Sequence, residues 1–256
     1  IVKYRKLLEL DQRWYRQQQF SLNYPLEQTL EQALDGLCEQ VTNAVRDGVV
    51  IVVLSDRDIH SEKLPMHAAL ATGAVHQRLI REGLRCDCNI IVETGTARDS
   101  HQFAVLFGVG ATAVYPFLAF QIINDLHAKG ALKGDLLQHR KFFRRGVRKG
   151  LLKVLSKMGI SCVSSYRGAQ LFETVGLGKE ITDRCFPGAA GQVGGVGFAE
   201  LDRESREVAL HAWQQGQALS QGGLLKFTHG GEFHAYNPDV VTLLQKAVQS
   251  GDQADY

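Results

Sequence analysis

The cysteine pair Cys86 and Cys88 comes nearest to a metal-binding motif in this sequence. A structural zinc or iron–sulfur site needs about three or four ligands at set spacing. No second close cysteine pair follows, and the histidines form no His-Glu-x-x-His arrangement. His60 and His67 flank a predicted helix start, where contact with solvent or capping is the commoner role. The sequence therefore predicts no metal site.

The glycine-rich stretch Gly188–Gly197 resembles a phosphate-binding loop only loosely. It lacks the Gly-x-Gly-x-x-Gly spacing and a Walker lysine, and it follows no β-branched strand that leads into a helix. Its glycines are more typical of a turn-rich linker. No Gly-x-Ser-x-Gly elbow is present and no cysteine stands beside an obvious base, so the residues alone contain no self-sufficient catalytic set.

A cluster of positive charge lies on a predicted helix over residues 138–158, with no acidic residue inside it. The cations are Arg140, Lys141, Arg144, Arg145, Arg148, Lys149, Lys153 and Lys157. Such a cluster could bind RNA or DNA. However, the interleaved aromatic residues Phe142 and Phe143 fit the buried stripe of the helix. We interpret the cluster as a solvated or domain-docking face, without a nucleic-acid partner.

The elements that would position a site are clearest over residues 29–54. Apolar residues recur along one helix face, Thr29 and Gln32 form a capping box, and Gly48 suits a helix C-terminus. The run Val49–Leu54 that follows is β-branched without polar alternation. Such a run is typical of a parallel strand buried on both faces.

The strand–helix pattern recurs along the chain. The predicted elements are a helix from Pro65 to about Gly83, a strand at Asn89–Glu93, a short helix capped by Thr96, a strand at Ala111–Tyr115, a helix from Pro116 towards Gly130, a helix from Gln138 to Met158 and a fourth strand at Ile160–Val163. Alternating strands and helices imply parallel pairing through right-handed crossovers. The sequence therefore predicts an α/β fold of barrel-like units.

Ligand contacts in such folds collect at the carboxyl ends of the strands. The polar or special residues predicted at that edge are Asp56, Arg57, Glu93, Pro116, Ser164, Ser165, Tyr166 and Arg167. Of these, we take Asp56, Arg57, Glu93, Tyr166 and Arg167 as possible strand-end or interface residues. We assign no catalytic, cofactor-binding or metal-binding residue.

Composition excludes several classes of protein. Apolar residues make up 45% and charged residues 22% of the 256 residues, as in a packed globular domain. A net charge of +2 gives no support for a nucleic-acid or membrane partner. No apolar run is long enough to span a bilayer. The 5 scattered cysteines predict a reducing, cytoplasmic environment and no disulfide framework.

The composition and the predicted structure of the sequence change after about Gly178. Residues 186–198 are glycine-rich, residues 200–219 predict a polar helix, and His229–Gly231 marks a turn. An amphipathic run over residues 240–248 comes just before the end at Tyr256, and the sequence begins at Ile1 without Met. These features predict an internal piece of a larger enzyme.

Three long motifs stand out in the sequence: GVVIVVLSDR (48–57), IIVETGTARDSHQFAVLFGVGATAVYPFLAF (90–120) and GVRKGLLKVLSKMGISCVSSYRGAQLFETVGL (146–177). They resemble the central domain of the large subunit of glutamate synthase. A fourth, GGEFHAYNPDVVTLLQKAVQSGDQADY (230–256), is similar to the segment that leads into the FMN-binding synthase domain of that subunit. The amino-acid sequence of this last segment favours the bacterial NADPH-dependent type over the ferredoxin-dependent type.

The resemblance implies a multidomain oxidoreductase that converts glutamine and 2-oxoglutarate to two molecules of glutamate. A glutaminase domain with an N-terminal Cys releases ammonia, which a tunnel carries to an FMN domain. There 2-iminoglutarate is reduced by electrons from a 3Fe–4S cluster, supplied by ferredoxin or by NADPH through a small electron-transfer subunit. The central domain links both sites and is similar to a partial, rudimentary TIM-type barrel. It carries none of the reactive groups, since position 1 is Ile1 and no close cysteine triplet is present.

These implications divide the chain into an N-terminal lead-in (1–28), the central domain (29–178), and an irregular linker with the start of the FMN-binding domain (179–256). The expected role is to fix the distance between two active sites and help to wall an ammonia path. Two alternatives remain. One is a stand-alone module whose basic helix binds an anionic partner, and the other is a small complete barrel enzyme binding FMN or a phosphate.

Overall fold

The computed structural model describes residues 4, 7–10, 14–214 and 227–251. Its strands are β1 (Gln17–Ser21), β2 (Asn23–Pro25), β3 (Ile51–Ser55), β4 (Lys63–Pro65), β5 (Asn89–Glu93), β6 (Ala113–Tyr115), β7 (Glu173–Leu177) and β8 (Ala190–Val196). Its helices are α1 (Leu30–Arg46), α2 (Ala68–Arg81), α3 (Ser100–Gly108), α4 (Phe117–Ala128), α5 (Leu136–Lys157), α6 (Val163–Tyr166), α7 (Lys179–Cys185), α8 (Phe198–Trp213) and α9 (Pro238–Ser250). The described residues up to Leu210 form one unit, and those from His211 onward form a second.

The main sheet of the first unit is parallel and has the strand order β1-β3-β5-β6. Val52 pairs in register with Gln18 on one side and Ile90 on the other. All of β3 is buried, as the uninterrupted β-branched run predicts. The sheet has two edges in the described part of the chain, so the complete barrel of one alternative is not formed there. The α/β prediction with parallel strands is confirmed, with an open, barrel-like arrangement.

Helix α1 forms as its sequence signals predict. Thr29 Oγ1 accepts a hydrogen bond from Gln32 N, and Gln32 Oε1 accepts one from Thr29 N, which completes the capping box. Gly48 has φ +92°, a conformation that glycine adopts without steric cost, and it turns the chain into β3. The apolar face of α1, which includes Leu34 and Val41, packs into the core.

The cap of α3 differs from its prediction. Asp99, not Thr96, occupies the N-cap position, where Asp99 Oδ1 accepts from Gln102 N at 2.9 Å. Thr96 instead bonds to Thr94, because its backbone N–H donates to Thr94 Oγ1 at 3.0 Å. Helices α2, α4 and α5 follow the predicted ranges to within a few residues. No helix among the described residues combines the length and apolarity needed to cross a bilayer.

The predicted fourth strand at Ile160–Val163 does not form. Residues 160–162 have no regular structure, and Val163 begins the short helix α6. Small polar side chains here bond locally: Cys162 Sγ lies 2.9 Å from Ser164 Oγ, and Ser165 N donates to Cys162 O at 3.1 Å. Such local bonds compete with strand pairing, and the segment pairs with no strand of the described sheets.

The glycine-rich stretch is also different from its prediction. Residues Ala190–Val196 form β8, which pairs in parallel with β7 and is not a turn-rich linker. An added Cβ at Gly195 would lie 2.3 Å from Gly176 O, and one at Gly191 would lie 2.5 Å from Thr174 Oγ1. The glycines therefore allow close approach of two backbones.

Helix α8 is tied to the start of the same unit through Arg206. This side chain donates to Asp202 Oδ2 (2.8 Å), Leu26 O (2.7 Å) and Gln28 O (2.6 Å). Tyr24 donates to the second oxygen of Asp202 at 2.8 Å. Part of the predicted polar helix over residues 200–219 is thus confirmed, while residues 215–219 lie outside the described residues.

In the second unit, the amphipathic run forms helix α9, as its spacing indicates. Pro238 occupies the first turn, and Gly251 closes the helix at φ +66°. The turn before it is held by Asn237, whose Oδ1 accepts from His234 N at 2.9 Å.

Candidate functional site

The carboxyl ends of β3 and β5 bring together the polar residues that follow each strand. Ser55 pairs in register with Glu93, so Asp56 and Thr94 come next to each other at the same edge. Asp56 N donates to Glu93 O at 3.2 Å, and Thr94 N donates to Tyr115 O at 3.0 Å. The sheet geometry therefore gathers Asp56, Arg57 and Glu93, as the sequence predicts for parallel strands.

Asp56 is 3% exposed, and both of its carboxylate oxygens accept hydrogen bonds from residues that follow β5. Thr94 Oγ1 donates to Asp56 Oδ2, and Gly95 N donates to Asp56 Oδ1 at 2.9 Å. Burial raises the pKa of Asp56, and these two hydrogen bonds oppose that rise. The Thr94 hydroxyl donates its proton to Asp56. In the 2.9 Å contact between the two threonine hydroxyls, Thr96 is therefore the donor and Thr94 Oγ1 the acceptor.

Glu93 is the second buried carboxylate of this edge. Ser55 Oγ donates to its Oε2 and Arg57 Nε to its Oε1, each at 2.7 Å. The Glu93 side chain is 4% exposed, whereas that of Arg57 is 42% exposed. The ion pair therefore has a buried anionic end and a cationic end that reaches the surface.

Aromatic rings fix the position of the Arg57 guanidinium. Its Cζ lies 4.4 Å from the Phe117 ring centroid and 6.0 Å from that of Tyr115, a cation–π arrangement. Tyr115 stacks on Tyr4, with centroids 4.2 Å apart and planes inclined by 13°. The buried Tyr4 hydroxyl lies beside Glu93 without meeting hydrogen-bond geometry. Burial and the Glu93 charge raise the pKa of Tyr4.

Tyr166 and Arg167, the other two predicted edge residues, lie elsewhere. Gly168 N donates to Gly108 O at 2.8 Å, which places this turn beside the end of α3 and before β6 begins. The Tyr166 ring is 2% exposed and meets Phe172 edge to face. The structure therefore separates these residues from Asp56 and Glu93.

The sequence reasoning did not single out three participants of the edge. Thr94 supplies the hydroxyl on Asp56, and Ser55 the hydroxyl on Glu93. Ser55 pairs with Glu93 in strand register, and Thr94 follows Glu93 in the sequence. This proximity to a predicted carboxylate could have identified both residues. Tyr4 is different, because nothing in its local sequence indicates that it stacks on Tyr115.

The carboxylates of the edge are held in place by hydrogen bonds from neighbouring residues. Every carboxylate oxygen of Asp56 and Glu93 already accepts a hydrogen bond. Among the described residues, no three His, Cys, Asp or Glu side chains could hold a metal ion together. These hydrogen bonds join the ends of β3 and β5, and Arg57 is the exposed group of the edge.

Neither the cysteines nor the helix that follows β8 offers a fitting site for the cofactors implied by the resemblance. An iron–sulfur cluster needs several converging cysteines, but Cys38, Cys88 and Cys185 are buried and Cys86 and Cys162 are exposed singly. A flavin phosphate would need free N–H groups at a helix N-terminus. After β8 these groups are taken, because Gly197 N donates to Glu200 and Phe198 N to Glu180, each at 2.9 Å.

A cleft of about 350 Å³ opens between α1, α2 and α7. Arg184 in its wall pairs with Asp35 and Glu31 and lies over the Phe198 ring. Cys38 also lines it, but burial raises the pKa of this thiol to about 11. A thiol with that pKa is protonated at neutral pH and is not a nucleophile.

Helix α5 presents the basic cluster to solvent. Of its cations, only Arg140 has a side-chain hydrogen bond to another described residue, donating to Asn124 Oδ1. Lys141, Arg144, Arg145, Arg148, Lys149, Lys153 and Lys157 are exposed. Phe143 meets Phe103 and Phe120, as expected for the buried stripe, but Phe142 is 52% exposed, so the prediction that it is buried is wrong.

Comparison with known proteins identifies one family. The model of the glutamate synthase central domain matches residues 1–178. The ferredoxin-dependent glutamate synthase of Spinacia oleracea chloroplasts is 39% identical over 251 residues, which cover 93% of this chain and 16% of the relative. The NADPH glutamate synthase large chain of Bacillus subtilis is 38% identical over 225 residues, 87% of this chain and 15% of the relative.

The chain thus spans about a sixth of the length of these curated relatives. Among solved structures, a mutant of flavocytochrome b2 with benzoylformate is 17% identical, with a TM-score of 0.38 over 52% of this chain and 31% of that chain. Similarity at this level is too low to indicate a function.

Proposed function

The chain belongs to the glutamate synthase central-domain family, and from that premise we propose that it connects two active sites of a larger glutamate synthase without holding reacting groups itself. The match over residues 1–178 carries this proposal. The hydrogen bonding of the Asp56 and Glu93 edge supports it, because all four carboxylate oxygens take part in joining the ends of β3 and β5.

The proposed reaction of the whole enzyme is that of its family. Glutamine is hydrolysed to glutamate and ammonia, and the ammonia condenses with 2-oxoglutarate with loss of water. Two electrons and two protons then reduce the resulting imine to a second glutamate. We assign FMN, the 3Fe–4S cluster and the electron source, NADPH or ferredoxin, to other parts of the polypeptide and to its electron-transfer partner in the cytoplasm.

We propose that residues 29–178 form the central domain, preceded by a lead-in over 1–28, and that residues 179–256 lead towards the FMN-binding domain. The end of the family match at residue 178 supports the second boundary. The domain would help to wall an ammonia path to the synthase site. A rigid wall matters because ammonia that reaches bulk water is protonated and diffuses away.

The test is to substitute the edge residues in the full-length enzyme and measure both half-reactions separately. In Asp56→Asn, Arg57→Gln and Glu93→Gln, we expect glutaminase activity and ammonia-dependent glutamate formation to stay within about threefold of wild type. If the edge helps to set the spacing of the two sites, the ammonia released to solution per glutamine hydrolysed rises.

The matched control is Arg144→Gln on the exposed face of α5, which should leave that ratio unchanged. Loss of one half-reaction by a thousandfold or more in a folded edge variant would assign that residue to catalysis and overturn the proposal. Turnover of glutamine and 2-oxoglutarate by residues 1–256 alone would overturn it as well.

A second function is favoured by one observation, the exposed cations of α5, among which no acidic residue lies. On this alternative the chain binds an anionic partner through that face. Binding would then weaken steeply with salt, by one cation released per contact. A gel-shift series with RNA and DNA at low salt tests it, and the absence of any shift dismisses it.

A further inference from the structure

A cluster of positive and hydrogen-bond-donating side chains lies near the amino ends of β5 and β6, away from the Asp56 edge. His76 comes from the second half of α2, Arg85 from the turn after it, and Arg167 from the turn after α6. Gly110 lies against the His76 ring, where an added Cβ would be 2.4 Å from the ring carbon Cγ. Three separate turns therefore converge on one histidine.

Arg85 is rigidly held in this cluster. Its Nε donates to His76 Nδ1 at 2.7 Å, and its two terminal nitrogens donate to Cys88 O at 2.8 Å and Gly110 O at 2.9 Å. Because His76 Nδ1 accepts this hydrogen bond, the ring carries its proton on Nε2. That N–H points towards Gly168, whose missing Cβ would be 3.5 Å from Nε2.

Arg167 completes the cluster without a counter-charge. Its Nε is buried and has no hydrogen-bond partner, and the side chain pairs with no described carboxylate. The charges that act on His76 are those of Arg85 and Arg167, and no acidic side chain is among them. The positive charge of Arg167 also acts on Arg85.

Two half-buried guanidinium groups without an acid are unfavourable unless an anion balances them. His76 does not add a third charge, because burial and the two arginines lower its pKa to about 4. At neutral pH the cluster therefore offers two permanent cations and one neutral N–H donor. No acceptor among these groups is left free to bind a cation.

We propose that His76, Arg85 and Arg167 form a binding site for a small oxyanion of the phosphate or sulfate class. The His76 Nε2–H and the Arg167 guanidinium are its hydrogen-bond donors. Arg85, already fixed by three bonds, supplies charge and holds the histidine in the donating tautomer. Guanidinium groups bind such oxyanions through charge-assisted hydrogen bonds, the strongest class in proteins.

The experiment measures phosphate binding to the full-length protein by calorimetry and by the thermal midpoint. Phosphate is titrated against chloride at matched ionic strength, which removes the general effect of salt. We expect saturable binding and a rise in the midpoint that follows it, since a ligand that binds only the folded state stabilises it. No saturable response to phosphate or sulfate in wild type overturns the proposal, including the case in which a carboxylate from another part of the polypeptide fills the site.

Arg167→Gln is the main variant, because the buried Arg167 Nε has no hydrogen-bond partner among the described residues that folding would lose. We expect its affinity for phosphate to fall by about tenfold or more. Arg144→Gln removes the same charge from the exposed face of α5 and should bind as wild type does. Equal losses in both variants would show a nonspecific charge effect and contradict the proposal.

Arg167→Glu gives a readout that does not depend on added ligand. If the cluster lacks an anion, a carboxylate supplied there should raise the thermal midpoint in phosphate-free buffer and abolish the response to phosphate. If Arg167 were only a packing residue, the same change would lower the midpoint. That outcome would count against an anion site.

Discussion

Arg57 donates a 2.7 Å hydrogen bond from Nε to Glu93 Oε1 and so joins the carboxyl ends of β3 and β5. One partner is almost completely buried, while the other reaches the surface and lies over the Phe117 ring. The pair thus differs from a freely solvated ion pair, because its geometry is fixed by neighbours on both sides. Ser55, which donates to the second Glu93 oxygen, strengthens this restriction.

A double-mutant cycle on Arg57→Gln and Glu93→Gln should give a coupling free energy of about 1–2 kcal/mol, as for a charge-assisted bond with one partner partly exposed. Urea unfolding of the four proteins measures it. The control cycle on the exposed pair Lys179 and Asp183 should give about 0.5 kcal/mol or less. Equal coupling in the two cycles would show that burial of Glu93 adds nothing.

Asp56→Asn should change how stability depends on acidic pH. Burial raises the pKa of Asp56, so the folded protein holds this proton more tightly than the unfolded chain. Stability therefore falls as pH rises from the ordinary aspartate value of 3.8 towards the raised value, and levels off above it. In Asp56→Asn this decline should disappear from the free energy of unfolding measured by urea.

Asp58→Asn is the control for that series, with the opposite sign. The hydrogen bond from Lys63 lowers the pKa of Asp58, so its contribution is present above the unfolded pKa and is lost as pH falls. If the free energy of unfolding of Asp56→Asn varies with pH as that of wild type does, the Asp56 carboxyl is not the source of the decline.

Val52→Asp should destabilise the protein by about 3–5 kcal/mol, since it places an unpaired charge in a strand that is buried on both faces. Val52 is 0% exposed. Its register partner Gln18 on the edge strand β1 is exposed, and Gln18→Asp should cost less than about 1 kcal/mol. Thermal unfolding compares the two, and similar midpoints would argue against β3 as the centre of the core.

Two glycines of α5 should respond in opposite directions to the same substitution. A Cβ at Gly146 meets nothing within 4 Å, so Gly146→Ala should stabilise by about 0.5–1 kcal/mol through helix propensity. At Gly150 the added Cβ would lie 2.5 Å from the Ser100 Cβ, which side-chain rotation cannot relieve. Gly150→Ala should destabilise by about 1–3 kcal/mol, and a gain there would disprove the close contact of α5 with α3.

Alkylation with iodoacetamide at neutral pH should modify Cys162 well before Cys38 or Cys185. The hydrogen bond from Ser164 lowers the pKa of the exposed Cys162. Burial raises the pKa of Cys38 to about 11 and that of Cys185 to about 12. Peptide mass spectrometry follows each site, and Ser164→Ala should slow the reaction at Cys162. Rapid modification of Cys185 in the folded protein would contradict its burial.

Local signals in the sequence determined the parts of the fold that depend on neighbouring residues. The capping box at Thr29, the glycine at position 48 and the unbroken apolar run of β3 each specify a conformation through contacts within a few residues. The same is true of Asp56 and Glu93, because polar residues after buried parallel strands meet at one sheet edge whatever the distant sequence is.

Tertiary structure alone decided the rest, where the outcome depends on which partner is near. The sequence Ile160–Val163 has strand propensity, but the segment pairs with no described strand and forms local hydrogen bonds instead. Gly146 and Gly150 are alike in sequence, and only the approach of Ser100 distinguishes them. Arg167 lies within electrostatic range of His76 and not at the Glu93 edge for the same reason: the surroundings of a side chain are set by how distant elements pack, which local propensity does not encode.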